Sequence, residues 1–190
     1  SAKRYKEVIR KGLEFVERYP DHPYLVEVLY NIGWSYYELQ DYPHSIEAFV
    51  ELTQRFDAGF QVSRALFQIG ECYYDQGLYA EAIPHYQRLV DRADIRQLSE
   101  QEVQRMQFEK VAGLVDETEY ELTAKAQIRT GDCYSKLQNF AQAETSYRTV
   151  VTVFAQERRL VEKAYQSLAD MHFANGQLSR CVGAYREAID

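Results

Sequence analysis

Apolar and small residues recur along this chain at the spacing of a helix face. In the segment 66–73 they occupy positions i, i+3, i+4 and i+7, which lie on one side of an α-helix. The pair Gln76-Gly77 then favours a turn, and a second stripe with helical spacing follows at 82–89. The pattern predicts a hairpin of two antiparallel helices that pack through these stripes.

The same hairpin pattern occurs four times. Its anchors are Gly33, Gly70, Gly131 and Ala169, each followed 12 residues later by a small residue and 16 residues later by an aromatic residue. Successive anchors are 37, 61 and 38 residues apart, so the middle interval is about 24 residues too long and contains an insert. One hairpin cannot bury its stripes alone, and the repetition therefore predicts hairpins that stack on their neighbours.

These units resemble the tetratricopeptide repeat family, whose repeats carry a small residue, a tyrosine, an alanine and an aromatic residue at fixed positions. The second unit matches this pattern most closely, with Gly70, Tyr73, Ala82 and Tyr86. The resemblance implies an all-α fold, a right-handed superhelix (solenoid) of stacked antiparallel helical hairpins. We expect about four such units plus an inserted helix.

The chain as a whole, residues 1–190, is expected to form a single repeat domain. Neither end carries a polar capping helix, so we interpret it as a fragment of a longer chain. Its segments are a lone second helix (5–19), repeat one (26–57), repeat two (63–94), the insert (95–123), repeat three (124–155) and a truncated repeat four (162–190).

The insert, 95–123, is acidic and partly helical in pattern. Ser99 and Glu102 form a capping box before an apolar run, which predicts an extra helix from about residue 99 to about residue 113. Three basic and seven acidic residues give the insert a net charge of −4, out of −7 for the whole chain. Two interpretations stay open: a solvated extension of the neighbouring helices, or an element that contacts a basic partner.

In the family that the chain resembles, the first helix of each repeat lines a concave groove. Repeats one and two place aromatic rings beside carboxylates at the groove positions, and such rings anchor protein partners at low entropic cost. Alternatively, some of the rings only pack between repeats. The side chains that we assign to the groove are Tyr30, Trp34, Tyr37, Glu38, Arg64, Phe67, Glu71, Tyr74, Asp75, Asp132 and Asp170.

A second groove pattern concerns charge. In repeats two, three and four a basic residue occupies the second position and an acidic residue the ninth position of the first helix. Opposite charges at these positions predict a structural charge ladder between neighbouring repeats, with little stabilisation per exposed pair. The residues concerned are Arg64, Lys125 and Lys163 with Glu71, Asp132 and Asp170.

Composition excludes several classes of function. A net charge of −7 argues against nucleic acid, because phosphate binding needs a basic surface, and no apolar run is long enough to span a membrane. The cysteines number three and form no CxxC pair, so we expect reduced thiols; Cys72 and Cys133 share an inward-facing column of the repeats. No motif of a nucleophile, metal site or phosphate loop is present, and we expect neither an enzyme nor a cofactor.

We therefore expect a protein-interaction scaffold whose groove binds a partner peptide or segment bearing basic or apolar residues. Two alternatives stay open: a structural or self-assembling spacer that associates through its terminal helices, and a regulatory portion of a larger enzyme or assembly complex. The turn at 19–23 and the long repeat spacing are similar to bacterial cell-envelope members of the family, including outer-membrane assembly and Tol–Pal accessory proteins. That similarity favours the periplasmic side of the envelope, with the cytoplasm as the alternative.

Overall fold

The computed structural model describes residues 2–93, 100–113 and 117–189. Within these ranges the regular structure consists of ten α-helices and contains no strand, as the sequence pattern predicts. The helices are α1 (Ala2–Arg18), α2 (Leu25–Glu38), α3 (Tyr42–Arg55), α4 (Phe60–Asp75), α5 (Tyr79–Ala93), α6 (Glu100–Val111), α7 (Glu119–Lys136), α8 (Phe140–Val153), α9 (Arg158–Ala174) and α10 (Leu178–Glu187). They divide into two compact units, Ser1–His85 and Tyr86–Asp190.

Unit 1 is built from α1 to α4 and the start of α5. Helix α1 packs on α2, α2 packs on α3, and α3 packs on α4, while α2 also contacts α4. The contact between α2 and α4 places the first helices of repeats one and two side by side. The core of the unit consists of Leu25, Leu29, Tyr30, Phe49, Leu52, Val62, Ala65 and Ile69.

The four hairpin turns share one backbone conformation. In each turn the residue seven positions after the anchor has a positive φ: Gln40 and Gln138 at 59°, Gly77 at 75° and Gly176 at 70°. The amide of the following residue then donates back across the end of the helix, as from Asp41 to the Tyr36 carbonyl at 2.9 Å. This left-handed residue with its returning hydrogen bond ends the helix and reverses the chain.

Small anchors allow the two helices of a hairpin to approach closely. A Cβ atom added to Gly33 would lie 2.8 Å from the ring of Phe49, and one added to Gly131 would lie 2.5 Å from the ring of Tyr147. Both rings are buried and sit 16 residues after their anchors. The spacing found in the sequence is thus the spacing of a helix–helix contact.

Unit 2 contains the end of α5 and the helices α6 to α10. Here α7 packs on α8 and α9, α8 packs on α9, and α9 packs on α10. Its core includes Tyr120, Ile128, Tyr147, Val150 and Leu168, all of them buried. The same hairpin arrangement therefore recurs in this unit.

The predicted inserted helix corresponds to α6, while the predicted capping residue Ser99 lies outside the described residues. Val103 on α6 is buried in the core of unit 2, and Met106 packs against that core. Lys110 forms an ion pair with Glu121 on α7. The next helix, α7, begins at Glu119, where the Thr118 side chain caps it by accepting a 3.1 Å hydrogen bond from the Glu121 amide.

Candidate functional site

Helices α2 and α4 run in the same direction in unit 1. The Arg64 guanidinium carbon lies 4.5 Å from the centre of the Tyr30 ring, and the Tyr37 hydroxyl donates a 2.6 Å hydrogen bond to Asp75. Tyr30 precedes Tyr37 on α2, and Arg64 precedes Asp75 on α4, so the two contacts fix a parallel pair. Nine of the predicted groove residues lie on these two helices, and we call the surface that they form the α2–α4 surface.

The exposed aromatic part of the α2–α4 surface centres on Tyr37. Trp34 stacks on the Tyr37 ring with the ring centres 5.5 Å apart, and Tyr42 meets the same ring edge-on at 5.9 Å. Burial and the hydrogen bond to Asp75 both raise the pKa of Tyr37, so its hydroxyl keeps its proton and remains a donor. Trp34 and Tyr37 are each half-buried and are thereby held in place beside solvent.

Two carboxylates lie at the ends of α2 and α4. Glu38 accepts a 2.8 Å hydrogen bond from the hydroxyl of Tyr5 on α1, and Asp75 accepts one from Tyr37. Both carboxylates are exposed, and in the described part of the chain neither lies within 4 Å of a basic side chain. The hydrogen bond to Glu38 also raises the pKa of Tyr5. This end of the surface carries uncompensated negative charge.

Other predicted groove residues take part in packing. Tyr30 is only 6% exposed and packs its ring on Phe49 with a centre distance of 5.4 Å, while Glu71 is 8% exposed. Phe67 is half-buried, and so is Tyr74, which contacts the Tyr79 ring edge-on at 5.2 Å. Tyr30 thus packs against the second helix of its own repeat, and the same ring also lies beneath Arg64.

A cleft of about 270 Å³ opens between the first halves of α2 and α4. Its lining residues are Glu27, Tyr30, Asn31, Trp34, Gln61 and Arg64. Sequence reasoning missed Asn31 and Gln61 as groove residues. The helical period could have found them, since Asn31 follows Glu27 by one turn and Gln61 precedes Arg64 by one turn.

The two remaining groove residues belong to unit 2 and bond within their own hairpins. Asp132 accepts a 2.8 Å hydrogen bond from Tyr147, and Asp170 accepts one of 3.4 Å from Tyr185. In both repeats the aromatic residue follows the aspartate by 15 positions. Burial raises the pKa of Asp132 despite this hydrogen bond. These aspartates therefore support the contact between the helices of a hairpin.

The basic residues of repeats three and four take different roles. Lys125 forms ion pairs with Glu117 at 2.6 Å and Glu121 at 3.1 Å, both in the insert. Lys163 forms no ion pair within 4 Å in the described ranges, although its charge acts to lower the pKa of Asp132. Lys125 is thus bound to the insert and does not form the expected charge ladder.

The three thiols are free and buried. The Cys72 thiol donates to the Ser45 hydroxyl at 3.3 Å, and Ser45 donates to the Gly33 carbonyl at 2.8 Å. Burial raises the pKa of Cys72 to about 11, which keeps the thiol protonated and unreactive at neutral pH. No cluster that could hold a metal ion and no helix able to span a membrane occurs among the described residues.

Comparisons with known proteins identify the repeats. Two family models, both described as tetratricopeptide repeat, match residues 30–95 and 124–156, which together make up more than half of the chain. No curated protein sequence is significantly similar to this chain.

Solved structures share its fold at low sequence identity. A structure of MamA is 16% identical, with a TM-score of 0.69 over 97% of this chain and 86% of that chain. The apo form of RapI is 13% identical, with a TM-score of 0.67 over 97% of this chain and 69% of that chain. A Rap protein complexed with Competence and Sporulation Factor is 19% identical, with a TM-score of 0.62 over 98% of this chain and 49% of that chain.

These likenesses show the all-α, superhelical repeat fold class that the sequence predicts. The matched repeats include the whole of α3, α4, α5 and α8, and the turns that precede α3, α5 and α8. They also contain both close glycine–aromatic contacts, Gly33 with Phe49 and Gly131 with Tyr147. The chain belongs to the tetratricopeptide repeat family.

Proposed function

We propose that this chain is a protein-interaction scaffold that binds a segment of a partner on the α2–α4 surface. The observation that carries the proposal is the Trp34–Tyr37 stack, which the hydrogen bond from Tyr37 to Asp75 holds beside solvent. Rings that are fixed before binding lose little conformational entropy when a partner covers them. The Rap protein of similar fold, complexed with Competence and Sporulation Factor, supports a binding role for this architecture.

The chemistry of the surface suggests the kind of segment that it binds. The half-buried rings of Trp34 and Tyr37 suit an apolar side chain, and the exposed carboxylates of Glu38 and Asp75 suit a lysine or arginine nearby. The proposal assigns the chain no catalytic step. Specificity then depends on the order of apolar and charged residues in the partner.

A comparative pull-down tests this function. The wild-type chain and the double variant Trp34→Ala, Tyr74→Ala are used as baits in lysate from the source organism, and retained proteins are quantified by mass spectrometry. We expect proteins captured by the wild-type chain to be lost from the variant, because it removes Trp34 from the stack on Tyr37 and the half-buried Tyr74 ring from the same surface. Circular dichroism confirms that both baits are equally helical.

A matched control removes two exposed aromatic residues elsewhere in unit 1. The variant Tyr19→Ala, Tyr24→Ala changes rings that are 43% and 67% exposed and lie between α1 and α2. It should retain the partners of the wild-type chain. If the Trp34 and Tyr74 variant also retains every partner while folded, the α2–α4 surface is not the binding site.

Self-association is a second candidate function, favoured by the exposed face of α10. Leu178, Val182 and Tyr185 lie on α10 at helical spacing, Ile189 follows just beyond its end, and the four are 60%, 49%, 45% and 84% exposed. We propose a second copy of the chain as the occupant of this face. Light scattering at rising concentration should show that the molecular mass of the wild-type chain grows. The control variant Ser179→Glu should behave in the same way, while Val182→Glu should keep a constant mass. A wild-type chain whose mass stays constant would contradict self-association.

The bacterial cell envelope remains a proposed location. It depends on the similarity of the turn at 19–23 to envelope members of the family. Fractionation of the source cells tests it: we expect the protein in the periplasmic fraction, and recovery with cytosolic markers would show that the proposal is wrong.

A further inference from the structure

A cleft of about 550 Å³ opens in unit 1 where the turn between α1 and α2 meets the end of α3. It is about twice as large as the cleft between α2 and α4, and no residue assigned to the α2–α4 surface lines it. Clefts of about 300–1,000 Å³ are of the size that small-molecule ligands occupy. The turn cleft, as we call it, therefore has room for a ligand outside the proposed binding surface.

The walls of the turn cleft are apolar and rigid. Leu25 is 2% exposed, Phe56 is half-buried, and Pro20 and Pro23 line the cleft from the turn. A proline ring fixes the backbone angle φ, so these two residues have little conformational freedom to lose when a ligand binds. The turn cleft thus offers a preformed surface to an apolar side chain.

His22 contributes a hydrogen-bond donor to the turn cleft. The backbone amide of Tyr24 donates a 3.2 Å hydrogen bond to Nδ1 of His22, so Nδ1 carries no proton and the ring has its proton on Nε2. The ring is held by Phe15 and Tyr24, whose ring centres lie 5.2 Å and 5.3 Å from its own. The Nε2 donor is therefore fixed in place before a ligand binds.

The turn cleft also carries a positive and a negative charge, on Arg55 and Asp21. Arg55 pairs through Nη2 with Glu51, one turn earlier on α3, at 2.9 Å, and a guanidinium has five N–H donors, so this pair leaves most of them unused. Asp21 is exposed, and in the described ranges no basic side chain lies within 4 Å of its carboxylate. The two charges therefore do not pair with each other, and each can meet an opposite charge on a ligand.

We propose that the turn cleft binds a free α-amino acid with a large apolar side chain. The carboxylate of the amino acid accepts hydrogen bonds from Arg55 and His22, its ammonium group donates to Asp21, and its side chain packs on Leu25 and Phe56. A free amino acid carries both charges on one carbon atom, whereas each end of a peptide carries only one of them. The ligand is therefore a small molecule, and the site is separate from the surface proposed for a partner segment.

Isothermal titration calorimetry of the full chain with L-leucine tests the inference. The variants Arg55→Gln and Asp21→Asn each remove one charge of the turn cleft, and each should weaken binding about tenfold, the scale of one charge-assisted hydrogen bond. Arg10→Gln is the matched control, because Arg10 also pairs with a glutamate four positions away, at 2.7 Å, and does not line the cleft. It should bind L-leucine as the wild-type chain does, and circular dichroism confirms that all variants are equally helical.

Derivatives of the ligand test the same contacts without changing the protein. N-acetyl-L-leucine lacks the ammonium group and L-leucinamide lacks the carboxylate, so each should bind the wild-type chain about tenfold more weakly than L-leucine. A wild-type chain that binds no L-leucine at millimolar concentration overturns the inference. A derivative that binds as tightly as L-leucine overturns it as well, since the cleft would then not recognise both charges.

A nitrogen–proton NMR spectrum locates the bound amino acid on the chain. The backbone amide of Tyr24, which bonds to His22, should shift when L-leucine is added, while the indole signal of Trp34, the single tryptophan, should stay in place. A shift of the Trp34 signal without one at Tyr24 would place the ligand on the α2–α4 surface and overturn the inference. Because no residue of that surface lines the turn cleft, failure of the inference leaves the proposed function standing.

Discussion

The hydroxyl of Tyr37 donates a 2.6 Å hydrogen bond to the carboxylate of Asp75, although the two residues are 38 positions apart in the sequence. This bond joins the last turn of α2 to the last turn of α4. The Tyr37 ring in turn supports Trp34 by stacking. One hydrogen bond thus contributes both to the packing of two neighbouring repeats and to the shape of the proposed binding surface.

Replacing Tyr37 by phenylalanine removes this bond and keeps the ring. We expect the free energy of unfolding to fall by about 1 kcal/mol, the typical contribution of one hydrogen bond, and the emission of Trp34 to shift. Urea titration followed by circular dichroism measures the first effect. The control is Tyr24→Phe, whose ring is 67% exposed and whose hydroxyl makes no described hydrogen bond; equal urea midpoints for the two variants would contradict the role of Tyr37.

Replacing two helical glycines by alanine should change the free energy of unfolding in opposite directions. A Cβ atom on Gly131 meets the buried ring of Tyr147 at 2.5 Å, so Gly131→Ala should lower the free energy of unfolding by about 1–3 kcal/mol. Gly183 has no heavy atom within 4 Å of the added Cβ, and Gly183→Ala should raise it by about 0.5–1 kcal/mol through helix propensity. Urea unfolding of both variants measures the two changes. A Gly131→Ala variant as stable as the wild-type chain would show that α7 and α8 are farther apart than the contact with Tyr147 implies.

The thiol of Cys72 should make stability depend on alkaline pH. Burial raises its pKa from 9.0 to about 11 and thus favours the neutral thiol in the folded state. The contribution of the neutral Cys72 thiol to the free energy of unfolding is complete below pH 9 and is lost as the pH rises through about 11. The difference in unfolding free energy between the wild-type chain and Cys72→Ala should therefore shrink by about 2 kcal/mol over this interval. A difference that does not change with pH would place the thiol in contact with water.

The insert helix should be part of the folded core of unit 2. Val103 on α6 is 6% exposed, and Val103→Ala should lower the free energy of unfolding by about 1–3 kcal/mol. Val111 on the same helix is 87% exposed, so Val111→Ala should leave it unchanged. Urea titration of the two variants makes the comparison, and equal stability would favour a solvated insert that does not pack on α7.

Much of the fold could be predicted from the sequence because its contacts repeat. The interval of 16 residues between Gly33 and Phe49 recurs between Gly131 and Tyr147, and both pairs are close contacts between the helices of one hairpin. The turn residues Gln40 and Gln138 adopt the same left-handed conformation as the glycines at the equivalent positions. Periodic packing leaves a periodic pattern of residues, which a single sequence can reveal.

The details of the candidate site could not be predicted in the same way. The family positions indicate which helix face Tyr30 occupies. They do not indicate that its ring packs on Phe49 and is almost fully buried. The cleft beside Arg64 depends on how far α4 is shifted along α2, and the sequence pattern does not contain that shift. Likewise, Lys125 pairs with Glu117 and Glu121 of the insert, which has no counterpart in the other repeats.

The most direct test of the central claim, that the α2–α4 surface binds a partner segment, uses quenching of Trp34 by acrylamide. The half-buried indole should be accessible to the quencher in the free chain and protected when a tryptophan-free partner segment is bound. A quenching constant that falls severalfold on binding is the predicted result. A partner that binds tightly and leaves the quenching of Trp34 unchanged would contradict the account.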